Sequence, residues 1–149
     1  MARQGRGRPA KPNHLKVLAG TEERYINRDE AIPSEAHPSD TLVPPVTLSD
    51  GAMDVWRRLA PDLHDKGVLT PWDTDVFALY CENVATWHEC KALLGGEYTA
   101  RGAAGGVIKS PYWQIMRDAQ ADILRIASRF GLTPSDRASL KVEKADKHI

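Results

Sequence analysis

Prolines and glycines divide this chain before any other feature comes into play. Six of the ten prolines, Pro9, Pro12, Pro33, Pro38, Pro44 and Pro45, stand in the first 45 residues. Proline removes a backbone donor and biases the residue before it away from helix, so this density leaves no room for a long helix. Further on, Gly67, Gly95, Gly96 and Gly131 fall at intervals long enough for helices and act as stops. The chain therefore reads as an extended, mobile arm over residues 1–48, a helical body over 49–140 and a charged tail over 141–149. Within the arm only LKVLAG, residues 15–20, offers an apolar cluster.

Each interval carries its own apolar stripe. With Ser49 or Asp50 as cap, Met53, Trp56, Leu59, Ala60 and Leu63 recur at three- and four-residue steps, and Pro61 is expected to bend the helix or end it early. A second helix is expected to open at TPWD, with Thr70 as cap, Pro71 in the first helical position and Asp73 facing the amino end. It should run to about Leu94, its inward face made of Val76, Tyr80, Val84, Trp87 and Leu94 and widened by Phe77. Residues 97–110, EYTARGAAGGVIKS, place two β-prone pieces, Tyr98-Thr99 and Val107-Ile108, around a glycine-rich tip and predict a small hairpin. Ser110-Pro111 restarts a helix bearing Tyr112, Met116, Ala119, Ile123, Ile126 and Phe130, an alternation of four and three that is the spacing of a coiled-coil seam. Ile115 and Ala127 widen that seam, so the helix can serve both the subunit core and a neighbouring copy. Thr133-Pro134 predicts a last short helix through Leu140. The fold class is mainly α: an antiparallel pair of long helices, a hairpin-like connection between them, and a basic amino-terminal arm.

Charge is balanced in number, 20 Lys and Arg against 20 Asp and Glu, but not in place. Arg3, Arg6, Arg8, Lys11 and Lys16 all precede the first acid, Glu22, while acids gather at Glu22–Glu35 and Asp50–Glu89 and cations return at Arg125, Arg129, Arg137, Lys141, Lys144 and Lys147. Such asymmetry points to an anionic partner. Arginines on either side of a glycine, held extended by the following proline in GRGRP, can lie along a narrow minor groove of duplex DNA. A second DNA-binding reading comes from IASRFGLTPSDRASL, which resembles half of a helix-turn-helix, with Gly131 for the turn. Arg137 stands where its second helix would bury an aliphatic side chain. A helix-turn-helix transcription regulator is accordingly the alternative function.

Other classes are set aside on residue grounds. No apolar run reaches the roughly 20 residues that span a bilayer, and the first twenty residues lack an apolar export stretch, so the expectation is a cytoplasmic chain without membrane contact. Lys109-Ser110 lacks the glycines of a phosphate-binding loop, since Ile108 stands where a glycine must precede the lysine. Asp73, Asp75 and Glu82 suit magnesium, yet no histidine or lysine completes a nuclease set, and His64, Cys81, His88 and Cys90 have no zinc spacing. Cys81 and Cys90, nine apart on one helix, lie on nearly opposite faces, which disfavours a disulfide. Trp56, Trp72, Trp87 and Trp113 read as packing residues rather than base-stacking platforms. The expectation is a non-enzyme without metal or cofactor.

Taken in order, Gly7-Arg8-Pro9, Lys11-Pro12, Leu15-Lys16 to Gly20, Ser49 to Leu63, Gly67 to Asp73, Pro111 to Ile115 and Phe130 to Arg137 resemble the small terminase subunit of tailed double-stranded DNA phages. The resemblance runs nearly end to end. GTEERYIN lacks the glycine-proline-rich basic turn expected after the LK segment, and Ala103–Val107 is unusually rich in glycine. The resemblance implies a ring-like homo-oligomer in the host cytoplasm that recognises the packaging start on viral DNA. It also implies regulation of a separate large subunit that holds the ATPase and nuclease. On that reading Arg3, Arg6, Arg8, Lys11 and Lys16 contact DNA, and Tyr112, Met116, Ile123, Ile126 and Phe130 share in assembly. The tail around Lys141–Ile149 would meet the large subunit.

Overall fold

The computed structural model describes residues 11, 13–31 and 38–138. The body is built by α3 (Asp50–Asp65), α4 (Thr74–Leu94) and α5 (Pro111–Ala127). Short helices α1 (Asn13–Leu18) and α2 (Pro38–Leu42) precede it, and α6 (Pro134–Ala138) comes after it. Between α4 and α5, β1 (Thr99–Arg101) pairs antiparallel with β2 (Val107–Lys109), Ala100 opposite Ile108. The expected long-helix pair and hairpin are thus present, and α4 with α5 is the most extensive helix packing of the fold.

Local chemistry explains the boundaries. Ser49 caps α3, its Oγ accepting from Ala52 N at 3.4 Å, while Ser49 N and Oγ donate to the Glu82 carboxylate at 2.8 and 2.9 Å. The start of α3 is thereby tied to the middle of α4, and the backbones are close there: a Cβ on Gly51 would come within 3.2 Å of Ala85 Cβ. Pro61 does not end α3, which runs four residues further. Pro61 and Arg57, whose carbonyl loses its helical partner, are both exposed, so water can take the place of the missing donor. Gly67 stops the helix with a φ of 65°.

At TPWD the outcome differs from the expected cap. Residues 71–73 form a turn, and α4 starts at Thr74. The Asp73 carboxylate turns back to accept from Thr70 N at 3.1 Å and Thr70 Oγ1 at 2.6 Å instead of facing the helix end. Ser110 likewise precedes α5 without capping it through its hydroxyl. Thr133 does cap α6, its Oγ1 accepting from Asp136 N and donating to the Asp136 carboxylate at 2.6 Å.

Two cores result. The larger gathers Leu15, Leu48, Ala52, Val55, Trp56, Ala60, Leu63, Leu69, Phe77, Cys81 and Phe130. The Phe77 ring is its hub, 5.0 Å from Trp56, 5.5 Å from Phe130 and 5.9 Å from Tyr80 by centroid. The smaller joins Cys90, Leu94 and Met116, with Trp87 and Trp113 packed against it. Helix α4 therefore buries Phe77, Ala78 and Cys81 along its first half and Cys90 and Leu94 along its second. At 100° per residue these lie on opposite sides of the helix. That reverses part of the expected inward face: Val76 is exposed, and Phe77 is central rather than peripheral.

The arm expected to extend to residue 48 is structured in its described part. Leu15 is buried in the larger core, Leu18 and Leu42 pack on it, and Trp56 Nε1 donates to Leu42 O at 2.8 Å. A loop closes over α1, because Asn13 N donates to both Glu30 carboxylate oxygens and Asn27 N to Asn13 Oδ1. Thr41, fully buried, hydrogen-bonds His64 Nδ1.

Candidate nucleic-acid and assembly surfaces

Of the five cations read as DNA contacts, Arg3, Arg6 and Arg8 lie outside the described residues. Lys11 is half-buried beside α1. Lys16, on α1, donates from Nζ to Tyr25 O at 3.1 Å, so its ammonium is engaged in part in holding the loop after α1. With Leu15 buried next to it, α1 fixes the root of the basic leader to the body.

The five residues of the expected assembly seam separate. Met116 is buried in the smaller core and Phe130 in the larger, and Ile126 packs on the larger core, all within the subunit. Ile123 is half-buried, and Tyr112 is 42% exposed at the start of α5. The four-three spacing is thus satisfied chiefly by α4, the partner next in the chain. Apolar side chains open to solvent lie elsewhere. Trp72, Val76, Leu79 and Leu93 are exposed along α4 and its approach, and Ile115 and Leu124 on α5. Trp72, at 63% exposure, does not pack as the sequence pattern expects, because the turn at 71–73 carries it away from the body. Its exposure arises from the Thr70–Asp73 bonding, which the spacing of apolar residues does not encode.

The helix-turn-helix reading meets a real corner. Gly131 adopts a φ of 66° and Leu132 N bonds Ala127 O at 2.9 Å, so the chain does turn after α5. The next helix, α6, has five residues, and Phe130 and Leu132 fasten the corner to the larger core. The Arg137 side chain falls outside the described set.

Among the described residues, no three His, Cys, Asp or Glu side chains gather as a metal site, and no helix is long and apolar enough to cross a membrane. Cys81 and Cys90 sit in different cores. Burial pushes the Cys81 thiol up to about 12, with the neighbouring Glu82 charge adding to it, which keeps the sulfur protonated and unreactive. The hairpin side of α5 carries an open apolar groove lined by Tyr98, Val107, Ile108 and Trp113, where the Tyr98 and Trp113 rings meet edge to face at 5.0 Å.

No curated protein and no solved structure matches the chain. A family model described as phage terminase, small subunit, matches residues 52–147, which runs from near the start of α3 through α6 and covers well over half of the sequence. With a helical body of this order and a hairpin between its long helices, the chain belongs to the phage terminase small subunit family.

Proposed function

We propose that this protein binds viral duplex DNA at the packaging site as a homo-oligomeric ring and regulates a large terminase subunit, without catalysing a reaction itself. The observation that carries the reading is the family match over residues 52–147. The match begins inside α3, so the DNA-contacting role of the leader rests on its own residues. Arg3, Arg6, Arg8, Lys11 and Lys16 form an acid-free run whose Gly and Pro keep the backbone thin enough for a groove. Repetition of the leader around an oligomer raises its effective concentration at the DNA, so individually weak contacts bind tightly together. The charged tail, residues 141–149, is the surface assigned to the large subunit.

The test uses the full chain. Deleting residues 1–40 would remove Leu15 from the core together with the cations, so charge substitution is the cleaner change. Fluorescence anisotropy on duplex DNA should show the triple variant Arg3→Gln/Arg6→Gln/Arg8→Gln losing affinity. The slope of log K against log salt should flatten by about 2.7 for each leader engaged, at about 0.9 for each phosphate no longer neutralised. An unchanged affinity and slope would remove the leader from DNA binding. ATP hydrolysis by the large subunit, measured with and without this protein, tests the regulatory role, and an unaltered rate would count against it.

A further inference from the structure

We propose that the hairpin accepts an extended segment of a partner protein along the outer edge of β2, a segment that alternates apolar and acidic side chains. The backbone register supplies the first reason. Ser110 N bonds Tyr98 O at 2.9 Å and Gly102 N bonds Gly106 O at 2.8 Å, at the two ends of the ladder. In an antiparallel ladder, hydrogen-bonded pairs alternate with pairs whose polar groups point away from each other. Thr99 with Lys109 and Arg101 with Val107 are of the second kind, so Val107 and Lys109 turn their N–H and C=O groups outward from β2. These groups have no backbone partner among the described residues. An edge of this kind is a template for one more strand. Every residue of β2 lines the open groove beside Trp113, against Thr99 alone from β1, which puts the accessible edge on β2.

The two faces of the hairpin decide the chemistry of the added strand, because successive side chains point to opposite faces. One face carries Arg101, Val107 and Lys109, all exposed. Arg101 has no ion-pair partner among the described residues, and Lys109 donates from Nζ to the neutral Gln114 Oε1 at 3.0 Å, so neither cation is in an ion pair. From Tyr98 to Arg117 the sequence has no Asp or Glu. The acids on either side of that stretch lie outside the ladder: Glu97 precedes it, and Asp118 on α5 accepts from Gln114 Nε2 at 2.9 Å. The other face carries Tyr98, Ala100 and Ile108, with Tyr98 and Ile108 open to solvent and the Trp113 ring against Tyr98. A strand laid beside β2 sets its side chains alternately next to these two surfaces, acids beside the cations and apolar groups beside Ile108 and the aromatic rings. Duplex DNA would satisfy the cationic face alone, and the hairpin of a second copy would bring like charges together.

Fluorescence anisotropy on the full-length protein tests the assignment with a labelled peptide of Glu and Val in strict alternation, about six residues long. The wild type should bind it more tightly than the peptides in which Lys replaces Glu or Ser replaces Val. Val107→Pro removes an outward N–H and no ladder bond, so binding should weaken about fivefold, the loss of one main-chain hydrogen bond, with an unchanged circular dichroism spectrum. Arg101→Glu/Lys109→Glu should exchange the preference, favouring the Lys peptide over the Glu one. Equal binding of all three peptides, or binding of none, would overturn the proposal, and unweakened binding by Val107→Pro would reject the β2 edge. Duplex DNA affinity lowered by the paired charge variant while peptide binding is unaltered would overturn it in favour of nucleic acid. A lower particle mass for Val107→Pro in light scattering would give the edge to a second copy instead. The leader arginines are intact in every variant, so failure here leaves their role in DNA binding untouched.

Discussion

Replacing Phe130 with Ala separates a core residue from an assembly residue, since the sequence pattern places Phe130 in an intersubunit seam and the fold places it against Phe77. The side chain is 6% exposed, and its ring meets Phe77 edge to face at 5.5 Å. Truncating a buried Phe costs about 3–5 kcal/mol through reduced transfer energy and the cavity left behind, and the broken ring pair falls within that range. Against a total stability of roughly 5–15 kcal/mol for a domain, this is a large fraction. Urea unfolding monitored by circular dichroism should show the midpoint falling by about 1.5–2.5 M, taking a slope near 2 kcal/mol per M. Ile115→Ala, at a position 45% exposed on the same helix, should shift the midpoint by less than about 0.5 M. Both measurements belong at one protein concentration, because assembly adds to apparent stability. A Phe130→Ala protein whose midpoint matches wild type while its particle mass falls would refute the core assignment.

Single contacts give further expected outcomes. Glu82→Ala frees Ser49 N and Oγ at the start of α3 and should cost about 1 kcal/mol in the same unfolding assay, with the exposed Glu89→Ala as a near-neutral control. The Cys81 thiol ionises at about 12 when folded, against an ordinary 9, so its contribution to stability is intact below pH 9 and is lost as pH rises toward 12. Over that range the unfolded chain sheds the proton and the folded chain keeps it. Half-buried Tyr80, also raised by desolvation, adds the same sign, so Cys81→Ala should reduce the alkaline decline in chemical stability and Cys81→Ala/Tyr80→Phe should reduce it further. Gly102→Ala puts a Cβ 2.9 Å from Ile108 Cγ2, and amide exchange across β1 and β2 should quicken while α3 keeps its protection.

Periodic and local features are the ones the sequence makes legible. The stops at Gly67, Gly95 and Gly131, the Ser49 cap and the pairing of residues 99–101 with 107–109 depend on neighbours a few positions away, and each is found where the residue types put it. The inward face of α4 escapes the pattern for a nonlocal reason. One helix serves two cores on opposite sides, so no single stripe describes it, and Val76 looks inward by pattern while standing in solvent. The order in the arm is hidden because polar and proline-rich composition masks one leucine with a seat: Leu15 is buried in the core that α3 and α4 build, and these come some forty residues later. Cap chemistry at TPWD has two acceptable solutions, and the Thr70 hydroxyl and amide hold the Asp73 carboxylate. On the proposed surfaces, the leader's cations are legible as charge, whereas the open edge of β2 needs the hairpin register to reveal which backbone groups point outward.

The seating of Leu15 sets a leash length. A chain advances at most about 3.6 Å per residue, so Arg8 can lie no further than about 25 Å from the Leu15 Cα, and Arg3 no further than about 43 Å. Arg3 and Arg8, five residues apart, stand at most about 18 Å from each other, and one turn of duplex rises about 34 Å, so on the proposed DNA contact the three arginines of a single copy span only about half a turn at once. A longer footprint on the genome would then be a property of how many anchor points stand side by side, and the spacing between those anchors, rather than the leader, would set which turns are touched.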